Sequence, residues 1–217
     1  LLSHQIGRPQ QFSIIPPGLD LAPLPSKAEA RSSLNLPPDG NVVCFIGRLT
    51  PIKRIDRLVN VIRRTAALVP KTTFVVAGEG LDSKIINGAI ADGLPIRALG
   101  WYSDVETVLA ASEVMVLTSD NEGTPVALIQ AGLAGIPVVA TDVGSVGDVV
   151  VNGKTGLLTE PSDDALSESL QMILQDSGLQ RSMGEFARSY LPGKFGSIPL
   201  VESHLNIYRS LTQEHQL

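Results

Sequence analysis

Short apolar runs alternate with amphipathic stretches along most of the chain. Continuous apolar runs of this length predict buried parallel strands, and apolar positions three or four residues apart predict helices. The predicted strands are 12–15, 42–46, 73–77, 96–99, 114–117, 138–140 and 157–159. The predicted helices are 27–34, 54–68, 81–91, 103–111, 124–134, 162–174, 178–190 and 199–211. This alternation predicts an α/β fold: a Rossmann-like, doubly wound parallel sheet with C-terminal helices.

Loops that contain glycine follow the predicted strands. They lie at 47–53, 78–80, 99–102, 119–125 and 141–147. Ligands of doubly wound sheets bind at the carboxyl ends of the strands, so we expect these loops to converge on one crevice. Because the alternating pattern does not start again further along, residues 1–217 are predicted to form a single domain.

The loop and helix after the run at 114–117 have the clearest ligand-binding features. Thr124 is predicted to cap the helix, with Pro125 at the first helical position and Gly135 at the end. The free amides of such a helix start bind anions. Because a carboxylate at Glu122 would repel an anion there, a phosphorylated sugar fits best, with its phosphate on the amides and its hydroxyls on Glu122.

Composition narrows the class of protein. The 217 residues carry a formal net charge of −5, which argues against a nucleic-acid partner. The single cysteine, Cys44, lies in an apolar run and is predicted to be a buried, inert thiol. Three scattered histidines show no metal-ligand spacing: His4, His204 and His215. We expect a cytoplasmic protein, because no signal peptide is evident and no apolar run approaches the roughly 18 residues of a membrane span.

A series of motifs, taken in order, resembles the C-terminal, nucleotide-sugar-binding half of GT-B glycosyltransferases of the retaining glycosyltransferase family 4, or glycosyl transferases group 1. The motifs are I-P-P-G-L-D (15–20), G-R-L-T-P-I-K-R (47–54), G-E-G (78–80), L-G-W (99–101), N-E-G-T-P-V-A-L-I-Q-A (121–131), G-I-P-V-V-A-T-D-V-G (135–144) and N-G-K-T-G-L-L (152–158). The resemblance implies retaining transfer of a sugar from a nucleotide diphosphate sugar, without a metal or other cofactor. General family habit favours a uridine nucleotide.

The resemblance also implies a domain organisation. Residues 1–20 would be an inter-domain linker and residues 195–217 a terminal helix. The N-terminal domain, which recognises the acceptor in this family, would be missing, and the chain begins with Leu1 rather than methionine, as a piece of a longer protein would. The acceptor stays unknown, and any membrane contact would go through the missing half. We expect the isolated chain to bind donor and to transfer poorly or not at all.

Three charged residues are the predicted catalytic groups. Two cations on one strand-end loop, Arg48 and Lys53, can neutralise a diphosphate leaving group, and the resemblance implies that role. Glu122 matches the first glutamate of the family's Glu-x7-Glu pattern and would hold hydroxyls of the donor sugar. The structural alternatives are a solvated basic loop, and a glutamate that stabilises a helix start.

The other predicted donor-binding residues lie in the same loops. Phosphate and sugar contacts are predicted at Gly47, Gly123, Thr124, Pro125 and Val126, with amides offered by Thr124 and Val126. The base would be framed by Gly78, Gly80, Leu99, Gly100, Trp101 and Tyr102, with Arg97 close by. For the two aromatic residues, packing on the loop is an equally good explanation.

Gln130 departs from the family pattern, which usually has a second glutamate here that grips the ribose hydroxyls. A neutral hydrogen bond contributes roughly 1 kcal/mol against about 1.5–3 for a charged one, so we expect ribose binding to be weaker but retained. The alternatives are a degenerate site and a plain surface glutamine.

Asp120 and Glu122 could suggest a metal-binding pair, but no third ligand is apparent, so Asp120 is interpreted as a turn residue.

Other functions stay open. A GT-B nucleotide-sugar epimerase would share the phosphate site, although the E-G-T-P loop argues against it. A non-catalytic nucleotide-sugar-binding module is favoured by Gln130 and by the missing half. The sequence argues against a dinucleotide oxidoreductase, because no G-x-G-x-x-G follows the first strand.

Overall fold

The computed structural model describes residues 7–8 and 11–214, which contain one six-stranded parallel sheet. The spatial order is β3-β2-β1-β4-β5-β6, and every neighbouring pair is parallel. The strands are β1 (Asn41–Ile46), β2 (Thr72–Ala77), β3 (Ile96–Gly100), β4 (Val114–Leu117), β5 (Val138–Thr141) and β6 (Gly156–Thr159). The doubly wound α/β fold predicted from the alternating pattern is therefore confirmed.

Helices cover both faces of the sheet. They are α1 (Lys27–Ser33), α2 (Ile55–Leu68), α3 (Ser83–Ala91), α4 (Val105–Ala111), α5 (Val126–Ala134), α6 (Val146–Val149), α7 (Asp163–Gln175), α8 (Ser177–Tyr190), α9 (Pro192–Phe195) and α10 (Ser197–Glu214). Helices α2, α3 and α7 pack together in one layer, and α1, α4, α5 and α8 pack together in another. All four residues of β4 are buried, as expected of a central strand between two helical layers.

The hydrophobic core is continuous across the sheet. Its largest fully buried side chains include Phe45 on β1, Phe74 on β2, Met115 on β4 and Leu128 on α5. Cys44 belongs to this core and is fully buried, which raises the pKa of its thiol to about 12. The interpretation of Cys44 as a buried, inert thiol is confirmed.

Three local predictions were wrong. Residues 12–15 form no strand, and the Ile14 side chain is almost fully exposed; two prolines without amide donors follow directly. Helix α5 begins at Val126 with Pro125 as its N-cap residue, so Thr124 does not cap it. The helix predicted at 103–111 begins two residues later, at Val105, and is capped by Asp104, whose carboxylate accepts from the Thr107 amide.

The C-terminal end of the described chain is the long helix α10, which confirms the predicted helix at 199–211 and extends it at both ends. Apolar side chains at a spacing of three or four residues remain exposed along one side of it: Ile198, Val201, Leu205, Tyr208 and Leu211. Residues 1–6, 9–10 and 215–217, which belong to the predicted linker and terminal helix, lie outside the described residues.

Candidate functional site

The strand order places one crevice at the centre of the sheet. From β1 the chain proceeds outward through β2 and β3 on one side, and through β4, β5 and β6 on the other. The loops after β1 and β4 therefore leave neighbouring strands in opposite directions, which opens a space between them at the carboxyl edge. These two loops contain the predicted catalytic residues Arg48, Lys53 and Glu122.

The loop after β1 is held to its neighbours by backbone hydrogen bonds. The Gly47 amide donates to Ala77 O at 3.0 Å, and the Leu49 amide donates to Glu79 O at 2.9 Å, both toward the end of β2. A 3₁₀ turn, Pro51–Lys53, then presents Lys53. The Lys53 side chain crosses Gly47, with its Cε 3.9 Å from where a Cβ of Gly47 would lie. A Cβ at position 47 would therefore make only an ordinary van der Waals contact with the lysine.

The loop after β4 is hydrogen-bonded directly to the loop after β1, which carries Lys53 and is called the lysine loop below. The buried Thr118 hydroxyl donates to Lys53 O at 2.7 Å, and the Asp120 amide donates to Ile52 O at 2.9 Å. Because both bonds involve backbone atoms of the lysine loop, the two sides of the crevice are held at a fixed spacing.

A charged cluster bridges the crevice. Lys53 Nζ donates to Glu122 Oε1 and forms a salt bridge with it. The Ser119 hydroxyl donates to the same oxygen at 2.5 Å. Only 18% of the Lys53 side chain and 10% of the Glu122 side chain are exposed, so this ion pair is largely screened from water. The two predicted catalytic residues, 69 positions apart, are therefore brought into direct contact.

Arg48 does not join this cluster. It lies in the same loop, is exposed, and forms no salt bridge with another described residue. Its guanidinium is free to meet an anionic ligand at the crevice, but the structure assigns it no contact there.

The start of α5 adjoins Glu122. Pro125 is the N-cap residue and no side chain caps this end of the helix. Within the described residues, the amides of Gly123, Thr124, Val126 and Ala127 donate no hydrogen bond. Free amides at the positive end of a helix dipole attract anions. The free amides expected at this helix start are therefore present, although the helix begins one residue later than predicted.

Two glycines near Glu122 differ in their surroundings. A Cβ on Gly144 would meet Glu122 O at 2.0 Å, and its φ is +54°, whereas a Cβ on Gly123 would meet nothing within 4 Å. We expect Gly144→Ala to lower the free energy of unfolding by about 2–5 kcal/mol through the clash and the backbone strain. We expect Gly123→Ala to stay within about 0.5 kcal/mol of wild type, measured by urea denaturation.

Because Gly123→Ala should leave folding unchanged, this variant also tests ligand binding. A methyl group on Gly123 would occupy the open space over the α5 amides, so a bound anion should lose at least about tenfold in affinity, or about 1.4 kcal/mol. Titration of a folded Gly123→Ala variant with nucleoside diphosphates measures this loss. Unchanged affinity would show that no ligand approaches the backbone at Gly123.

A cleft of about 490 Å³ lies between the loop after β2, the first turns of α3 and the end of β3. Four residues predicted to frame the base line it: Gly78, Gly80, Leu99 and Gly100. Its polar side chains Glu79, Ser83 and Asn87 were not among the residues predicted from the sequence. A Cβ on Gly78 would lie 1.9 Å from Gly47 O, so glycine is required for this loop to approach the lysine loop.

Other residues predicted near the base lie elsewhere. Arg97 turns to the other side of β3, where its Nε donates to Leu34 O just beyond α1 at 3.1 Å. Trp101 is 78% exposed, and neither Trp101 nor Tyr102 lines the cleft. Gln130 is half-buried on α5, and its side chain forms no hydrogen bond with other described residues.

Asp120 takes part in a network with two arginines. It accepts from Arg57 at 2.9 Å and from Arg54 at 3.1 Å. Partial burial opposes ionisation of Asp120, but the two guanidiniums outweigh it and hold the pKa of its carboxyl below the ordinary value. In the described part of the chain no three His, Cys, Asp or Glu side chains are grouped as metal ligands would be.

The lowered pKa of Asp120 predicts a pH effect on stability. A depressed folded-state pKa adds stability above the unfolded-state value, near pH 4, that is lost as the pH falls through the folded-state value. We therefore expect the urea midpoint to fall between about pH 5 and pH 3, and to fall less in Asp120→Asn. The exposed Asp39→Asn is the matched control, and an equal flattening of both profiles would rule out the Asp120 network as a cause.

A second cleft, of about 350 Å³, opens at the opposite edge of the sheet. Two of its three cationic side chains already have partners, since Lys27 pairs with Glu113 at 2.8 Å and Arg188 donates to Ala134 O at 3.3 Å. The carboxyl-edge crevice is the better candidate site, because its α5 amides have no partner within the described residues.

None of the described helices combines the length and the apolar character that crossing a membrane requires.

Comparison with known proteins places these features in a family. A family model described as glycosyl transferases group 1 matches residues 26–190. The D-inositol 3-phosphate glycosyltransferase of Mycobacterium leprae is 34% identical over 170 residues, which cover 73% of this chain and 39% of that protein. An Escherichia coli protein named UDP-Gal:alpha-D-GlcNAc-diphosphoundecaprenol alpha-1,3-galactosyltransferase is 29% identical over 213 residues, covering 92% of this chain and 54% of that protein.

A solved structure extends the likeness to the fold. Sucrose-phosphate synthase from Thermosynechococcus elongatus superposes with a TM-score of 0.81 at 27% identity, covering 92% of this chain and 52% of that one. This chain thus spans about half or less of the length of these proteins. The family inferred from the sequence motifs is confirmed: the chain belongs to the glycosyl transferases group 1 family and has the Rossmann-like fold of a GT-B glycosyltransferase domain.

Proposed function

We propose that this chain is the donor-binding half of a retaining glycosyltransferase that uses a nucleotide diphosphate sugar. The observation that carries the proposal is the contact between Lys53 and Glu122 across the β1–β4 crevice, beside the free amides of α5. A cation and a set of amides suit a diphosphate, and the adjoining carboxylate suits sugar hydroxyls.

The nucleotide would extend from this crevice toward the cleft beside β3. Its diphosphate would lie against Lys53, Arg48 and the free amides of Gly123, Thr124, Val126 and Ala127. Its base would enter the 490 Å³ cleft beside Gly78 and Leu99. Gln130, on the helix that starts at this crevice, would meet the ribose with neutral hydrogen bonds. A uridine nucleotide is supported by the name of the Escherichia coli relative, which specifies UDP-Gal.

The chemistry follows from where charge develops. Breaking the bond between the sugar and the diphosphate leaves negative charge on the departing group, which Lys53, Arg48 and the α5 amides would stabilise. Glu122 would orient the sugar through its hydroxyls while positive character grows at the anomeric carbon. Attack by the acceptor on the face that the leaving group vacates would retain configuration without an enzymic nucleophile. No step calls on a metal ion.

The acceptor would be bound outside this chain. The relatives are about twice as long, and an acceptor domain is proposed for the remainder. The exposed apolar stripe of α10, including Val201, Leu205 and Tyr208, would pack against that domain. The isolated chain is then expected to bind donor and to transfer little.

One residue favours a second candidate, a nucleotide-sugar-binding module without transfer activity. Gln130 stands where the family pattern has a glutamate, and its side-chain amide has no hydrogen-bond partner among the described residues. Both candidates predict donor binding, so they are separated by product formation when this chain is joined to an acceptor domain.

Calorimetric titration of the 217-residue chain with UDP, GDP and ADP tests the proposal. We expect dissociation constants between micromolar and millimolar, which correspond to binding free energies of about −8 to −4 kcal/mol. UDP should bind most tightly of the three. Absence of binding for all three nucleotides would overturn the donor-binding function. Tighter binding of GDP or ADP would overturn only the choice of uridine.

A further inference from the structure

We propose that Ser119 is a positioning residue: its hydroxyl keeps the Glu122 carboxylate directed at the donor sugar after Lys53 has turned to the diphosphate. The proposal rests on the proposed function, in which Glu122 binds the sugar and Lys53 binds the leaving group. Ser119 was not predicted as a functional residue, although Ser119-x-x-Glu122 has the residue spacing of a capping box.

The two donors to Glu122 share one oxygen. Lys53 Nζ and the Ser119 hydroxyl, the latter at 2.5 Å, both donate to Oε1. Among the described residues, Oε2 accepts no hydrogen bond. One carboxylate oxygen is therefore anchored to the protein, and the other is available to accept from a sugar hydroxyl.

Ser119 is held much more firmly than Lys53. Its side chain is fully buried, and its carbonyl accepts from the Thr141 hydroxyl at 2.7 Å. The next amide, of Asp120, donates to Ile52 O at 2.9 Å. The peptide on the carboxyl side of Ser119 is thus fixed at both its carbonyl and its amide, so the short side chain has little freedom to move.

Lys53 is fixed only at its backbone. Its carbonyl accepts from Thr118, but the ammonium lies at the end of a flexible four-carbon stem. A diphosphate beside the α5 amides would draw that ammonium away from Glu122, because it carries more charge than one carboxylate. Glu122, only 10% exposed, would then keep one donor among the described residues, the Ser119 hydroxyl, and a buried carboxylate without donors is strongly disfavoured.

The structural alternative is a hydrogen bond that only stabilises the turn before α5. The two roles differ in what they predict for the sugar. If Ser119 positions Glu122, its loss weakens binding of the sugar portion and spares the diphosphate. If Ser119 only stabilises the loop, its loss weakens nucleotide and nucleotide sugar alike, or neither.

The test compares Ser119→Ala with Ser112→Ala in the 217-residue chain. Ser112 is also buried and donates to Val108 O at 2.7 Å, but it lies at the opposite edge of the sheet. Affinities are measured by calorimetry for UDP, UDP-glucose, UDP-galactose and UDP-N-acetylglucosamine. The sugar increment is the ratio of the affinity for the tightest nucleotide sugar to the affinity for UDP.

We expect Ser119→Ala to change UDP affinity by less than about twofold and to reduce the sugar increment at least about fivefold. Ser112→Ala should change neither quantity, and Ser119→Thr, which keeps the hydroxyl, should restore the increment. An unchanged increment in Ser119→Ala, or an equal loss for UDP and the nucleotide sugar, would overturn the positioning role.

The wild-type chain separates this failure from failure of the proposed function. A wild type that binds none of the four ligands would overturn the donor-binding function itself. A wild type that binds UDP but gains no affinity from any of the three sugars would leave nucleotide binding intact and overturn both the sugar role of Glu122 and the role of Ser119.

Discussion

Replacing Lys53 with methionine is expected to reduce the affinity for UDP by about 10- to 150-fold, because a charged hydrogen bond to the phosphates contributes about 1.5–3 kcal/mol. Methionine keeps most of the length of the side chain and removes its charge. The substitution also removes one of the two donors to Glu122 Oε1, so the carboxylate would face the diphosphate uncompensated. Calorimetric titration with UDP measures the loss.

Lys27→Met is the matched control for this variant. Lys27 also forms a salt bridge, with Glu113, but it lies at the opposite edge of the sheet and half of its side chain is exposed. UDP affinity should be unchanged in Lys27→Met, and circular dichroism should show both variants folded. A Lys53→Met chain that is folded and binds UDP as wild type does would remove Lys53 from the diphosphate site.

Replacing Glu122 with alanine is expected to weaken binding of the sugar rather than of UDP, in contrast to Lys53→Met. The contribution of the sugar to affinity should fall about tenfold or more, since a hydrogen bond to a charged group is lost. Affinity for UDP alone should stay the same or increase, because a carboxylate next to the phosphate site is removed and Lys53 is released. Calorimetry with UDP and with the tightest nucleotide sugar measures both quantities.

Glu185→Ala, on the exposed side of α8, is the control for the loss of one negative charge. It should change neither affinity. If Glu122→Ala weakened UDP and the nucleotide sugar by the same factor, the residue would be acting through the structure of the loop rather than through the sugar.

The sheet could be predicted from the sequence because its strands are buried on both faces. A run such as Val114–Leu117, apolar at every position, has few alternatives once helices flank it. The run at 12–15 is mostly apolar as well, but the two prolines that follow it offer no amides to a neighbouring strand. The sequence does not determine where α4 starts, because Ser103 and Asp104 are adjacent and both residue types are able to cap a helix.

The site was predicted as a set of loops rather than as a set of contacts. Topology places the loops after β1 and β4 side by side, so Lys53 and Glu122 could be assigned to one crevice. Lys53 and Glu122 lie 69 positions apart, and their direct contact depends on the conformations of both side chains. The hydrogen bond from Ser119 to Glu122 depends on side-chain conformation in the same way. The spacing of residues along a chain does not determine those conformations.

Arg97 illustrates the same limit. Its position on β3 two residues before Leu99 suggested the nucleotide cleft, because alternate residues of a regular strand share a face. The pairing of β3 with β2 shifts at Leu99, however, since Val76 pairs with Ala98 and Ala77 with Gly100. Leu99 therefore lines the cleft together with Ala98, and Arg97 reaches Leu34 O beyond the end of α1 instead. That partner comes from an element 63 positions earlier, which the local motif does not indicate.

The central claim is that a cation and the α5 amides together bind a diphosphate beside Glu122. Calorimetric titration of the wild-type chain with UDP, UMP and uridine tests it most directly, because the three ligands differ only in phosphate. We predict that UDP binds at least about tenfold more tightly than UMP, a difference of about 1.4 kcal/mol or more, and that uridine binds most weakly. Equal affinities for UDP, UMP and uridine would contradict the account.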